Sequence, residues 1–478
     1  MNPWIQKIYW SLPGPARSAA ASAHGIRLRA LRYGSDTERL ASEALERDRW
    51  APERLRAWQE ERLAFVLHRA AARVPFYREQ WSERRRRGDT SSPEILAHWP
   101  VLEKETLRAA PRSFVADDLD TRAMVHDHTS GTSGKPLDIW QTRESVRGWY
   151  ALFEARWRRW YGVSLADRWA NIGGQLVAPQ AQRTPPFWIW NAPLHQLYMS
   201  SYHLAPGLTA FYIDALKRYR IRYLLGYTSS LYALALGAQR LARDDVRMAV
   251  AVTNAEPVLP HQREAIAGAF GCPVRATYGM TEMVAAAGEC EAGTLHLWPE
   301  AGIVEVIDRG QPAPEGVVGD LVCTGLFNAD MPLIRYRVGD RGALGGRRPA
   351  CACGRTLPVL REVEGRLDDT LFTADGRRIG RLDTVFKDRL PVREAQIVQE
   401  TLDRVRVRYV SAPGFSRASG ETIVSRVRAR MGNIDVVLEE VDEVPRTANG
   451  KLRAVVCMLP ADEQRRLAER AVTDPPTD

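Results

Sequence analysis

The chain has 478 residues, 45% apolar and 26% charged, which suits a folded globular protein with more than one core and excludes a disordered or fibrous chain. Its net charge of +9 and pI near 9.3 favour anionic partners, yet no basic stretch is interleaved with aromatics, so nucleic acid is not expected as a partner. No run of about twenty apolar residues could cross a membrane. The N-terminus is too polar and too broken for a signal peptide, and six cysteines in so long a chain do not make a disulfide framework, so a cytoplasmic location is expected.

Residues 1–110 read mostly as helix, with apolar residues at helical spacing from Glu38 to Gln80. Tyr9, Trp10, Leu12 and the run IRLRALRY predict a helix lying on the body of the protein, with membrane association at most peripheral. The run Arg84 to Arg87, beside Glu83 and Asp89, reads as a solvated helix end. Residues 111–365 alternate short apolar runs with helical stretches. RYLLGY, MAVAVTNAE, PVRATYG, GIVEVID and GDLVCTG read as strands, and SLYALALGAQRLARDD and LPHQREAIAGAFG as helices between them. Between Asp167 and Asp214 there is no acid, while Trp169, Phe187, Trp188, Trp190, His195, Tyr198, Tyr202 and His203 fall there; this suits either a pocket for an apolar acid or plain core.

After Gly365 the pattern restarts. RLDDTLFTADGRRIG reads as a charged link and a hairpin turning at Asp375-Gly376, followed by a helix around Leu382 to Arg389. Strands at AQIVQE, RVRVRYV and IDVVLEEV and a helix at TIVSRVRARM complete a small domain, and the tail after Pro460 is helical, then frayed. The expected fold is α/β. A helical region, 1–110, packs on a large layered α/β domain, 111–365; a smaller α+β domain, 366–478, is joined to it by a hinge.

Three stretches carry chemistry. In HTSGTSGKP, Thr129, Ser130, Thr132 and Ser133 surround Gly131 and Gly134, and Lys135 follows. Small hydroxyl residues and glycines let backbone N–H groups approach a phosphate chain, although the spacing is not that of the Walker loop. The chain has six lysines against 61 arginines. A lysine retained in a Gly-containing motif is therefore informative, and Lys135 and Lys451 are both so placed. Cys290, His296, Cys351 and Cys353 offer three thiolates and an imidazole, the donors of a closed tetrahedral structural zinc site. Cys272, Cys323 and Cys457 lie in or beside apolar runs and read as core.

Taken in order, these motifs and those downstream resemble the adenylate-forming (acyl-CoA synthetase) superfamily, most closely the phenylacetate–CoA ligase family and its capsule-biosynthesis branch, over about residues 40–460. The resemblance implies that residues Thr129 to Lys135 wrap the β- and γ-phosphates of ATP. Asn254, Ala255, Glu256 and Pro257 would line the adenine. In ATYGMTE, Tyr278 followed by Gly279 would stack on the adenine, Thr281 would contact the α-phosphate and Glu282 would hold Mg2+, assignments that agree with the binding habits of an aromatic face and a hard carboxylate. Asp340, ending MPLIRYRVGD, would accept from the ribose hydroxyls. In EGRLDD, Arg366 would touch ribose or phosphate and Asp368 would be the hinge, while Arg378 matches a further family arginine after a longer hairpin. In VPRTANGKLR, Lys451 would bridge the carboxylate and the α-phosphate. Some members of the branch look similar at the cysteines, with a structural metal.

The implied activity is ATP-dependent adenylation of a small-molecule carboxylic acid, then acyl transfer to coenzyme A. An acceptor other than coenzyme A (an amine, a sugar or a carrier protein), or adenylyl transfer to a cofactor hydroxyl, is the alternative. Lys451, Glu282 and Asp340 argue against a purely nucleotide-binding role. A homodimer is common among relatives.

Overall fold

The structure is a computed structural model. It describes residues 8–128, 137–175, 177–179, 182, 184–204, 207–345, 351–366, 371–374, 378–379, 385–386, 390–446, 453–464 and 466–467. Among the described residues, a helical stretch at 8–11 is followed by α1 (Gly14–Arg32), α2 (Thr37–Arg47), α3 (Pro52–Arg73) and α4 (Pro75–Arg86). The last two start on a proline, where a missing N–H costs nothing. After them come α5 (Lys104–Ala109) and α6 (Arg143–Arg156).

The centre is a 13-stranded sheet. One half is parallel, in the spatial order β2, β1, β3, β4, β5: β1 (Trp169–Gly173), β2 (Gln196–Ser200), β3 (Tyr223–Tyr227), β4 (Ala251–Asn254) and β5 (Val274–Gly279). Helices α7 (Thr209–Arg218), α8 (Thr228–Arg240) and α9 (Pro260–Phe270) alternate with these strands. Their near-continuous apolar runs are what strands covered on both faces require. Gly271 ends α9 in the left-handed region, φ 58°, which a side chain would resist. The other half is antiparallel and includes β6 (Ala286–Glu289), β7 (Leu295–Leu297), β8 (Tyr336–Gly345) and β9 (Val359–Arg366). The fold is α/β as expected, and the five runs read as strands are strands.

Helix α1 packs on the body, against the antiparallel edge strand Trp188–Asn191. The Trp190 N–H donates to Ser18 Oγ at 3.1 Å, and Ser22 Oγ donates to the Trp190 carbonyl at 3.2 Å. Hydroxyls on the helix thus satisfy a strand that would otherwise present a bare edge. Within the aromatic segment Trp169, Phe187 and His203 are buried, and Trp188 and Trp190 are half-buried against the core. Trp169 stacks on Tyr223 at 5.8 Å, fully buried Phe187 stacks on His203 at 4.9 Å, and Trp190 stacks on Tyr219. His203 contacts Ser200 Oγ through Nδ1 at 2.8 Å and the Pro179 carbonyl through Nε2 at 2.9 Å.

A buried ionic group fastens the N-terminal helices. Arg156 has no exposed surface; its Nε donates to Asp48 at 2.9 Å, and Nη1 and Nη2 donate to Glu300 at 2.7 and 3.0 Å. Burial works against the Glu300 carboxylate, but Arg156 and Arg47 hold it below the usual range; at Asp48 burial wins and raises the acid. Trp160 Nε1 completes Asp48 at 2.7 Å. Such a set stabilises only while every member is present, because any one removed leaves a buried charge unpaired.

The C-terminal part holds a second sheet of β10 (Val392–Thr401), β11 (Arg404–Ser411), β12 (Asp435–Glu440) and β13 (Val455–Cys457), in the order β12, β11, β10, β13. Helix α10 (Arg417–Met431) buries Ile423, Val427 and Met431 against Ile397, Val405 and Val407. The short strands Leu371–Phe372 and Arg378–Ile379 pair as a hairpin, while its turn and the helix expected at 382–389 lie largely outside the described residues. Cys272 and Cys323 are buried and Cys457 is half-buried, in line with a packing role.

Candidate active site

In a parallel sheet the loops after the strands' C-terminal ends form the natural crevice. Here β4 ends at Asn254 and β5 at Gly279, so both nucleotide-like motifs emerge side by side. The chain turns at Ala255 with φ 62° and again at Met283 with φ 55°, two non-glycine left-handed residues flanking the motif residues. Such strain is usually kept where the surroundings fix a functional loop.

Glu256 accepts from the Ser229 N–H at 2.7 Å and from Ser229 Oγ at 3.0 Å, while its carbonyl accepts from Thr228 Oγ1 at 3.2 Å. The carboxylate therefore sits at the N-terminus of α8, where it satisfies donors that the helix leaves open. Its role is to fix the Asn254–Pro257 wall. Asn254 Oδ1 is buried without a hydrogen-bond partner, an acceptor suited to the exocyclic amine of a base.

The Tyr278 hydroxyl donates to Asp340 Oδ2 at 2.7 Å, and burial, then the Asp340 charge, push the phenol well above its ordinary value. The two residues expected at adenine and ribose thus share one site. Asp340 on β8 stands opposite Arg366 on β9, although the Arg366 side chain lies outside the description. Glu282 is buried and accepts from the Tyr336 hydroxyl at 3.1 Å; Lys104 Nζ lies 3.6 Å from the same oxygen. Lys104 is delivered by a backbone bridge: the Leu102 N–H donates to the Arg335 carbonyl, and the Arg337 N–H to the Leu102 carbonyl. Sequence reasoning missed Lys104 and Tyr336. The scarcity of lysine was the one available signal for the first; the second reads as an ordinary strand residue. Thr281, half-buried, follows Gly279 in the same loop.

Residues Thr129 to Lys135, Asp368 and Lys451 lie outside the described residues, and so does the Arg378 side chain. Residues 129–137 join two paired strands, with His128 opposite Asp138.

The four metal-type residues converge. His296 stands opposite Val359 in the sheet, and Cys290 follows β6, which pairs with β7; the register thereby brings residues 351–353 to Cys290. All four donor atoms lie within 4.8 Å of one another, with Cys290 Sγ to Cys351 Sγ at 3.6 Å and Cys353 Sγ to His296 Nε2 at 3.4 Å. A tetrahedron with zinc–sulfur bonds of about 2.3 Å has edges of roughly 3.8 Å, so the donor set fits. His296 Nδ1 faces the Leu357 carbonyl at 3.2 Å, which leaves Nε2 for a ligand role. Burial opposes a thiolate at Cys351, yet contacts from Thr294, Cys353 and His296 bring it down to about 6, whereas burial pushes Cys290 up to about 11. Arg355 and Thr356, just beyond, reach Asp48: Arg355 Nε lies 3.8 Å from its carboxylate, and the Thr356 N–H donates to its carbonyl at 2.9 Å.

Comparison with known families shows the family of the chain. The model for AMP-binding enzymes matches residues 55–330, more than half of the chain. The chain belongs to the AMP-binding enzyme family. The CapK C-terminal domain model matches residues 371–457, which places this AMP-binding enzyme in the phenylacetate–CoA ligase-like, CapK branch. The chain is 24% identical over 393 residues to protein CapK of Staphylococcus aureus, covering 80% of this chain and 84% of that protein. It is 27% identical over 447 residues to phenylacetate-coenzyme A ligase of Thermus thermophilus, covering 84% and 96%. A crystal structure of 2-hydroxyisobutyryl-CoA ligase in the postadenylation state superposes with a TM-score of 0.64 at 21% identity, covering 90% of this chain and 94% of that one; at such identity the likeness is one of fold. Among the described residues no helix is long and apolar enough to cross a membrane.

Proposed function

We propose that this AMP-binding enzyme adenylates a small carboxylic acid and passes the acyl group to coenzyme A. The observation that carries the reading is the convergence of the Asn254–Pro257 wall, Tyr278, Asp340 and Glu282 on one crevice, with Tyr278 bonded to Asp340. In the first step a carboxylate oxygen bonds to the α-phosphorus of ATP, the bond to the bridging oxygen breaks, and pyrophosphate leaves. Residues Thr129 to Lys135 cradle the leaving phosphates, Thr281 orients the α-phosphate, and Lys451 meets the charge that builds there. Glu282 would hold Mg2+, which when bound would supply further positive charge to the phosphates. In the second step the small domain, 366–478, turns about Asp368 against the large one, 111–365, and a thiol attacks the acyl carbon while AMP leaves. Arg366 follows the ribose through the turn. Cys290, His296, Cys351 and Cys353 would hold a structural zinc ion, since four protein donors suffice to complete its coordination.

Lys104 adds a cation beside Glu282, where the metal-bound phosphates would lie. Lys104→Met is expected to weaken ATP binding about five-fold with little change in kcat. Titration calorimetry with a non-hydrolysable ATP analogue checks this, and unchanged affinity removes Lys104 from the site.

A second reading follows from the CapK match: the acyl-adenylate serves an amine, a sugar or a carrier protein, or an adenylyl group passes to a cofactor hydroxyl. Pyrophosphate release with Mg-ATP across aromatic, fatty and hydroxy acids, each with and without coenzyme A, separates the two. Acid-dependent release accelerated by coenzyme A supports the ligase. Acid-dependent release indifferent to it moves the assignment to another acceptor, and release with no acid dependence refutes acid activation.

A further inference from the structure

We infer that Glu289 is a positioning residue for the ATYGMTE motif: its side chain holds the first amide of that motif and so sets how Tyr278 stands beside the Asn254–Pro257 wall. This rests on the nucleotide-binding role proposed for those residues. Strands β5 and β6 pair at Thr277–Gly288, Tyr278–Ala287 and Gly279–Ala286, and the ladder ends there. One step further, the Glu289 carbonyl accepts from the Tyr161 hydroxyl at 2.7 Å, and the Ala276 N–H donates to Glu289 Oε2 at 2.7 Å. A side-chain carboxylate thus takes the place of a strand carbonyl as the partner of that amide.

Ala276 is where β5 meets the wall. It stands opposite Thr253 of β4, the residue before Asn254. Thr277 Oγ1 donates to the Thr253 carbonyl at 2.8 Å, and Thr253 Oγ1 donates to the Arg275 carbonyl at 3.3 Å. Ala276 and Tyr278, two apart on a strand, share a face. A displacement of β5 at Ala276 is therefore passed both to the Tyr278 ring and to the wall. The carboxylate is itself held. The Glu289 side chain is 8% exposed; Arg263 Nη2, on α9, donates to the same Oε2 at 2.9 Å, and Arg275 Nη1 lies 3.9 Å from Oε1. Leu295 pairs with Glu289, and the Cys290 N–H donates to the Thr294 carbonyl at 2.8 Å, so the hairpin that carries Glu289 also carries Cys290 and His296. Glu289 thus has two separable properties. Its length brings an acceptor to the Ala276 amide, and its charge meets Arg263.

The test separates them. Glu289→Gln keeps the reach and an acceptor oxygen but loses the charge; Glu289→Asp keeps the charge but is one methylene short of the amide. The probe is AMP, titrated by calorimetry into the full chain, and deuterium exchange of the peptide containing Ala276 to Tyr278 reads the hold on the strand. Glu289→Gln is expected to bind AMP within about two-fold of the native chain, with native exchange at that peptide. Glu289→Asp is expected to bind AMP about ten-fold more weakly and to exchange faster there, because an unmet amide in the sheet costs more than a weakened ion pair to a part-exposed arginine. Arg263→Met, which leaves the acceptor in place, is expected to bind AMP within about two-fold, and this measurement decides the matter where Glu289→Asp does not fold. Native affinity in Glu289→Asp, equal weakening in both Glu289 variants, or a ten-fold loss in Arg263→Met reduces Glu289 to a fold-supporting contact or an ion-pair partner and overturns the inference, while the proposed function stands. A native chain that does not bind AMP overturns the nucleotide-binding reading itself, and the inference with it.

Discussion

Lys451→Ala is expected to lower acid-dependent pyrophosphate release by at least about a hundredfold, the usual size of a lost charge-stabilising donor at a transition state. Thioester formation from a supplied acyl-adenylate and coenzyme A is expected to stay within about two-fold, because the proposed turn of the small domain withdraws Lys451 from the nucleotide in that step. Lys451→Arg should recover little: a planar guanidinium is a different shape from a compact point charge. The chain's own composition sharpens the point, since it places arginine at 61 positions and lysine at six. Rapid-quench assays of the two half-reactions decide it. Equal loss in both would mean that Lys451 supports the fold of the small domain and not the first chemical step.

Cys351→Ser with Cys353→Ser is expected to remove a bound zinc ion, present at about one per chain in the native protein, and to destabilise the large domain by on the order of 3 kcal/mol or more. The size follows from what the cysteine loop touches. Arg355 and Thr356 reach Asp48, and Asp48 is one of the two acids that neutralise the fully buried Arg156. A loop that loses its metal loosens that group, and an incompletely paired buried charge is costly. Elemental analysis and denaturant unfolding with and without a chelator test both parts. A native protein free of zinc would refute the site.

The parallel half of the sheet was legible in sequence because strands covered on both faces are forced to be largely apolar, as in Tyr223–Tyr227 and in the run Met248 to Val252 that leads into Thr253 and Asn254. The cysteine set was legible from donor chemistry alone, although only the pairing of β7 with β9 explains why residues so far apart meet. The aromatic segment before Asp214 was ambiguous, since a pocket and a core want the same side chains; stacking on Tyr223, His203 and Tyr219 places Trp169, Phe187 and Trp190 in or against the core. Lys104 and Tyr336 were not legible. Lys104 sits in an unremarkable stretch, and Tyr336, although inside MPLIRYRVGD, carries no signal of its own; both acquire meaning only when β8 and the start of α5 meet at Glu282. Glu256 was legible as a member of the wall, but its hold on the N-terminus of α8 depends on a contact across 27 residues of sequence.

The tie between Thr356 and Asp48 also fixes an order of events. Helix α2 ends one residue before Asp48, and the cysteine loop donates to that residue's carbonyl from more than 300 positions away. The Thr356 amide proton therefore exchanges with solvent only when its bond to Asp48, just past the end of α2, opens. In deuterium exchange the two segments should open as a single unit, so that a chelator acting at Cys351 is first detected near residue 48 as well as at the metal site. A chain broken between these segments would still be held together there by backbone hydrogen bonds and ionic contacts. The expected result is that the helix ending at Arg47 and the cysteine loop unfold together.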